Sequence, residues 1–266
     1  MRSRFNEIKG RAFYIFLLVA WCAGPLILLL FYSLSDINSG YIDFKNYVNL
    51  LKDENFRDVM LNSLIVSTVS TFLSLSLATI SAYAITRKSI RFGQTALFLF
   101  LAISMFPSIA TLSPLYLIFR EVGLRDTLIS LIIPYTVFSL PIAIWMLSGY
   151  FKQIPKELEL SAKMDGCSGF TIFWKILFPL LKSGLATTAI LVFVTNWNEF
   201  IYAVAFTTTN FSRTLPIYIS KFPTATDNVI GQLTASSVIG AIPLLLIILF
   251  FQKRIVAGLT SGAVKE

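Results

Sequence analysis

Apolar residues in this chain come in runs too long for a soluble core, and polar residues come in short joints between them. Six runs lie near residues 12–34, 62–85, 95–119, 127–150, 183–206 and 233–251. Each is close to or above the length of about 20 helical residues that a hydrocarbon core requires. The runs are continuous rather than alternating, which excludes a transmembrane β-barrel. The pattern predicts an all-α polytopic membrane protein with six transmembrane helices in one domain, residues 1–266. The first run follows Arg2, Arg4, Lys9 and Arg11 and so imitates a secretory signal. It exceeds the apolar core of about 7–15 residues typical of such signals and is read as a retained helix.

One joint is different. Residues 151–182, FKQIPKELELSAKMDGCSGFTIFWKILFPLLK, extend far beyond the usual connection of about 4–6 residues. Apolar positions keep helical spacing at Leu158, Ala162 and Met164, and again at Phe170, Phe173, Trp174, Leu177 and Phe178. Asp165-Gly166 stops the first half. Two short helices are expected along the membrane surface, offering a face to something outside the bilayer or packing only on their own bundle.

Within the runs, polar residues and prolines set further expectations. Ser63, Ser67, Ser70, Ser74 and Ser81 share one helical face, as a polar wall of a pathway or as a small-residue stripe for close packing. Pro107 and Pro114, then Pro134 and Pro141, predict kinks in the third and fourth spans. Tyr47, Leu50 and Leu51 suggest a short interfacial helix. Residues 207–232 lack periodicity and read as a loop that bends back or covers a mouth. The fifth run holds Asn196, Trp197, Asn198 and Glu199. In a continuous helix Asn196 and Glu199 fall on one face, which must turn to protein or water rather than lipid. They are candidates for a polar lining of a solute pathway, or for a buried clamp between helices.

Composition agrees with the pattern. The chain is 56% hydrophobic and 14% charged, with a mean hydropathy of +0.74, outside the range of ordinary soluble domains. With both termini in the cytoplasm, fifteen of the 22 basic residues fall inside, which fixes the expected orientation. The net charge of +8 is then a topology signal spread over short loops, and nucleic acid is not an expected partner. Histidine is absent, which removes the commonest general base and metal ligand. No GxxxxGK[ST] occurs, so the chain has no P-loop of its own. Cys22 and Cys167 suggest no disulfide framework. An enzyme is not expected, and neither a cofactor nor a metal site.

PKELELSAKMDG, from Pro155 to Gly166, followed by Ile176-Leu177-Phe178-Pro179, resembles the cytoplasmic signature of ATP-binding-cassette (ABC) importer permeases. That signature reads Glu-Ala-Ala, three residues, Gly, nine residues, Ile-x-Leu-Pro, and the spacing from Gly166 to Ile176 fits it. Leu160-Ser161-Ala162 stands in place of Glu-Ala-Ala, and Phe178 in place of Leu. The Asn196–Glu199 stretch, GLRDTLISLIIPYTVFSLPIAIWML from Gly123 to Leu147, and the tail from Gln252 resemble the sugar-importer branch, the maltose- and trehalose-type permeases. The resemblance implies the six-helix ABC importer permease fold in a prokaryotic inner membrane. It implies a second, homologous permease subunit as partner, two cytoplasmic ATPase subunits that bind ATP-Mg, and an extracellular or periplasmic solute-binding protein that delivers sugar. It further implies a coupling loop in which Glu157, Glu159, Ala162, Asp165, Gly166, Ile176 and Pro179 engage an ATPase, Glu157 or Glu159 replacing the missing signature glutamate. An extended tail, with Gly258, Leu259, Thr260, Ser261 and Gly262, would thread between the ATPase subunits. The competing reading is a stand-alone secondary transporter or channel in which Glu199 carries a coupling ion.

Overall fold

The computed structural model describes residues 2–35, 42–87, 92–222 and 227–261, and it is helical almost throughout. The helices are α1 (Arg2–Leu34), α2 (Lys45–Lys52), α3 (Glu54–Arg87), α4 (Gly93–Ser104), α5 (Ser108–Glu121) and α6 (Ile129–Gln153). They are followed by α7 (Glu157–Met164), α8 (Gly169–Leu180), α9 (Lys182–Trp197), α10 (Ile201–Phe206), α11 (Leu215–Ser220) and α12 (Asp227–Ser261). Among the described residues the only β pairing is one bridge, Ser35 to Ile42.

Four helical stretches are long and apolar enough to cross a membrane unbroken: Tyr14–Leu34, Glu54–Arg87, Ile129–Gln153 and Ile230–Gln252. The remaining two expected spans are broken. The third is two helices, α4 and α5, bent by 89°. Pro107 donates no N–H, and Phe106 before it is steered out of helical backbone, so α4 stops short of the proline. The fifth is α9, joined to α8 by a bend of 71°, and it ends at Trp197 instead of running to Phe206. By contrast α6 passes through Pro134 and Pro141 without a break.

The chain forms two compact units. In the first, residues 1–57 and 218–242, α2 lays Leu50 inward, and Tyr47 Oη meets Ser33 Oγ at 2.7 Å. This is the short amphipathic helix expected from Tyr47, Leu50 and Leu51. Tyr218 Oη donates to Asp53 Oδ2 at 3.0 Å. Partial burial, reinforced by that carboxylate, raises the phenol's pKa well above its ordinary value.

The second unit, residues 58–217 and 243–266, is built around α6, whose buried side chains include Leu131, Tyr135, Ala143, Leu147 and Phe151. Ser70 and Ser74 of α3 form a seam with α6. Ser70 Oγ donates to Ile132 O at 3.3 Å and Ser74 Oγ to Thr136 O at 3.0 Å, with Ser63, Ser67, Ser70 and Ser74 all buried. Interhelical hydrogen bonds in membranes average only about 0.6 kcal/mol, so close approach of the two backbones matters more here than the bonds. Ser70 and Ser74 of the stripe thus belong to a packing seam, whereas Ser81 donates to Leu77 O of its own helix. The same logic holds at Gly184 of α9, where a Cβ would collide with the ring of Tyr150 on α6.

At the end of α6 remote from residues 151–182, the loop after α10 folds back on the unit. Asn62 Nδ2 donates to the carbonyls of Phe211 and Arg213, each at 3.0 Å, and Leu215 N donates to Ser63 Oγ at 2.7 Å. Asp126, in left-handed backbone with φ 62°, accepts at Oδ1 from Thr208 N (2.7 Å), Thr209 N (3.0 Å) and Ser212 Oγ. Aspartate tolerates that conformation better than most residues. Burial raises the Asp126 pKa, but the hydrogen bonds from Ser212, Thr208 and Thr209 outweigh it and hold the carboxyl well below its usual range. A depressed folded-state pKa gives stability that is full above the unfolded value, about 4, and is lost as pH falls through the folded one. Asp126→Ala should thus lower thermal stability of the detergent-solubilised protein by about 1–3 kcal/mol at neutral pH. The gap between the two melting temperatures should begin to shrink below roughly pH 4 and go on shrinking as the pH falls further; a gap that stays constant into acid would mean that the carboxylate's charge is irrelevant.

Candidate functional site

Two places hold the candidate functional side chains: the long joint after α6 and the break after α9. The joint is ordered. Helix α7 ends in a Schellman arrangement, with Cys167 N donating to Ala162 O and Gly166 N to Lys163 O, both at 3.0 Å. Gly166 takes φ 78°, the left-handed value that lets this closure form without steric cost. Ser168 then caps α8 by accepting from Thr171 N. Residues Ile172–Leu177 are wound as π-helix, with Ile172 and Leu177, five apart, both buried.

One face of the joint packs inward. Ala162, Ile172, Leu177 and Leu181 share a core with Ile144, Leu147, Phe151 and Ile154. Glu159 is also inward: its Oε1 lies 2.9 Å from Arg87 Nε, at the C-terminal end of α3. Both side chains are nearly buried, 10% exposed for Glu159 and 4% for Arg87. Arg87 Nη2 donates to Phe151 O (2.7 Å) and Ile154 O (2.5 Å), carbonyls at the end of α6.

The other face points away from the protein. Glu157, Asp165, Gly166 and Pro179 are exposed, and Ile176 is half-buried. Leu160, at the position of the signature glutamate, is 58% exposed, and Met164, one turn on, is 88% exposed. The residues expected to couple thus divide: Glu157, Asp165, Gly166 and Pro179 lie on the free face, whereas Glu159 and Ala162 hold α7 to its own chain. Leu160 and Met164 form an outward apolar ridge that was not expected. Their i, i+4 spacing was its signal. Nothing in the sequence pairs Arg87 with Glu159, which lies 72 positions further on.

The polar break differs from the expected continuous helix. Asn198 Nδ2 turns back to Val194 O at 2.8 Å, and α9 ends. Glu199 then accepts from Tyr202 N at Oε1 (3.0 Å) and from Ala203 N at Oε2 (3.3 Å), the first turn of α10. Asn and Glu side chains here compete with the backbone ladder and satisfy the groups it leaves. Asn196 and Glu199 therefore do not share a helical face. Asn196 is buried on α9 and accepts from Ser139 Oγ of α6 at 3.0 Å, while its Nδ2 has no protein partner. Trp197 is buried and stacks on Phe193, with ring centroids 5.7 Å apart. Asn198 is exposed and Glu199 half-buried.

The tail also departs from expectation. Helix α12 runs through Gly258, Leu259, Thr260 and Ser261, where an extended chain was expected; Gly262 lies outside the described residues. One glycine costs a helix about 1 kcal/mol, too little to stop a long one.

Residues 71–260 match the family described as binding-protein-dependent transport system inner membrane component. The chain belongs to that family. It is 39% identical over 226 residues to the trehalose transport system permease protein SugB of Mycobacterium tuberculosis, covering 84% of this chain and 82% of that one. It is 35% identical to the trehalose/maltose transport system permease protein MalG of Thermococcus litoralis, covering 92% of each. A chain in the crystal structure of a bacterial ABC transporter that imports the acidic polysaccharide alginate superposes with a TM-score of 0.81 at 24% identity, covering 95% of this chain and 98% of that one. The fold is thus that of ABC importer permeases, as expected from residues 155–179, and the protein is a membrane-embedded permease subunit of a transport system.

For this permease the left-handed residue between α7 and α8 gives a direct test. Gly166→Val has room for its side chain, since a Cβ there meets nothing within 4 Å, but must adopt a strained backbone. The strain is of order 1–2 kcal/mol. Amide hydrogen exchange in residues 157–167 should accelerate severalfold, and much less in Gly166→Asn, because asparagine tolerates that backbone. Equal exchange in both variants would mean that the turn does not depend on the left-handed conformation.

Proposed function

We propose that this permease forms one half of the translocation pathway of an ATP-driven sugar importer, taking a di- or oligosaccharide of the trehalose or maltose kind. The observation that carries the reading is the 39% identity, over most of both chains, to a trehalose permease. The second half of the pathway comes from a related permease. Two cytoplasmic ATPase subunits hold ATP-Mg, and a solute-binding protein outside the membrane delivers the sugar. The excess of basic residues in the joint after α6, in both termini and around Arg87 supports a cytoplasmic position for these segments.

The free face of α7 suits such a partner. An apolar ridge, Leu160 and Met164, flanked by Glu157 and Asp165, docks into an apolar groove with a basic rim, the usual way a helix face is read. Closure of the ATPase pair displaces α7, and the helices packed on it switch the side to which the pathway opens. This works through differential contact with two conformations, without bond chemistry in this chain.

At the break after α9, a neutral sugar asks for oriented amides and aromatic faces rather than charge. Asn196, with a buried donor lacking a protein partner, and the exposed Asn198 offer such amides, whereas Trp197 is already stacked on Phe193. Both carboxylate oxygens of Glu199 accept backbone amides, which gives the carboxylate a capping task and weakens the reading in which it carries a coupling ion.

Uptake of radiolabelled trehalose, maltose and maltotriose into proteoliposomes holding the complete transporter tests the proposal. ATP-dependent uptake of at least one sugar is expected. Asn196→Ala should reduce it roughly tenfold, the scale set by losing a buried hydrogen bond of about 1–1.5 kcal/mol. Glu199→Gln keeps one capping acceptor and should retain most uptake. Uptake driven by a proton gradient without ATP, abolished by Glu199→Gln, would sink the proposal.

A further inference from the structure

The free face of α7 accounts for docking, but it does not explain how displacement of an eight-residue helix reaches the membrane spans. A joint of this length can absorb motion as easily as pass it on. We propose that Arg87 and Glu159 form a buried strut that fixes the outward-facing helix α7 to the ends of α3 and α6, so that motion of α7 is transmitted to those two membrane helices. Arg87 and Glu159 are positioning residues in this role. The inference rests on the proposed function, in that α7 is taken as the helix a motor subunit displaces.

The geometry makes one side chain a three-way joint. Arg87 is the last residue of α3, so its guanidinium travels with that helix. Its Nη2 is held by two carbonyls at the end of α6, Phe151 and Ile154. Phe151 O also accepts from Ile154 N at 3.2 Å, so Arg87 adds a second bond there, and at Ile154 O a cation meets a carbonyl that the helix end leaves outside the ladder. Its Nε faces Glu159 of α7 at 2.9 Å, an ion-pair approach rather than an aligned hydrogen bond, and neither atom has another hydrogen-bond partner. Ala162, one turn after Glu159, is buried against the same core as Phe151 and Ile154. Helix α7 is thereby pinned by a charge pair and by a small apolar contact on one face.

Stability is a weak reason for such a pair. Charges buried this far lose their hydration, and well-packed apolar residues usually serve a fold as well or better. What an ion pair with two directional carbonyl bonds adds is a fixed geometry between three elements. The other arm of the joint is built differently: α8 contains the π-helical stretch Ile172–Leu177 and meets α9 at a 71° bend. Rare i→i+5 winding marks a place where helix register can change. One arm is held by a directional ion pair and the other by apolar packing, so displacement of α7 is directed to α3 and α6.

The test uses the complete transporter in proteoliposomes and reads sugar molecules imported per ATP hydrolysed, together with complex yield and melting temperature. The double variant Arg87→Met with Glu159→Met replaces the pair by apolar side chains of similar length and should assemble, melting only slightly lower because Phe151 O and Ile154 O lose the Arg87 donor. If the pair is a strut, its uptake per ATP should fall about tenfold while hydrolysis persists, a change within the range that coupling residues produce. Glu159→Gln, which keeps shape and a hydrogen-bond acceptor, should show a smaller fall. Wild-type uptake per ATP in the double variant would overturn the proposal. Failure of both variants to assemble would overturn it equally, because the pair would then serve folding alone. A wild-type complex that shows no ATP-driven uptake would instead refute the proposed function, so the two failures are told apart by the wild-type control.

Discussion

In a bilayer a backbone N–H or C=O that leaves the helical ladder has no water to turn to, and each departure from regular helix must be repaired by the protein itself. This chain departs from the ladder at several points, and at each a side chain or a turn supplies what was lost. Arg87 takes up the carbonyls where α6 ends. Glu199 takes up the amides where α10 begins. Asp126 and Asn62 do the same for the loop after α10. Polar residues that look costly in an apolar sequence are in these places what satisfies groups released from the ladder.

That constraint explains what sequence alone made legible. Long apolar runs set the number and approximate place of the spans, because helix is the only way to bury such a run in lipid. The joint 151–182 was legible as two short helices because Asp165-Gly166 is a local stop signal and the stop is made by local hydrogen bonds. Breaks inside runs were harder to see. Residues 183–206 look uniformly apolar around Asn196–Glu199, yet the chain stops at Asn198 because side chains there outcompete the ladder for its own groups. Hydropathy registers how polar Glu199 is and says nothing about which amide it faces. The Arg87–Glu159 pair was illegible for a different reason: it depends on which ends of distant helices meet, which spacing along one helix does not encode.

Charge in the joint has two separate tasks, divided by face. Outward acidic residues, Glu157 and Asp165, remain hydrated and flank an apolar ridge. Inward, Glu159 is committed to Arg87. A single-residue shift in the helix separates these roles, since neighbouring positions point about 100° apart. Leu160 can therefore occupy the signature's glutamate position without disturbing the buried pair beside it.

The π-helical stretch in α8 has a consequence for chain length. Ile172 and Leu177 are buried together only because the winding between them takes five residues instead of four. Removing or adding one residue there would turn everything beyond it by about 100° and re-aim the bend before α9. Surface connections normally tolerate insertions and deletions freely. This one acts as a ruler: side chains on its exposed face can be exchanged, but the count from Gly166 to Ile176 cannot, since the count sets the direction in which the next membrane helix departs.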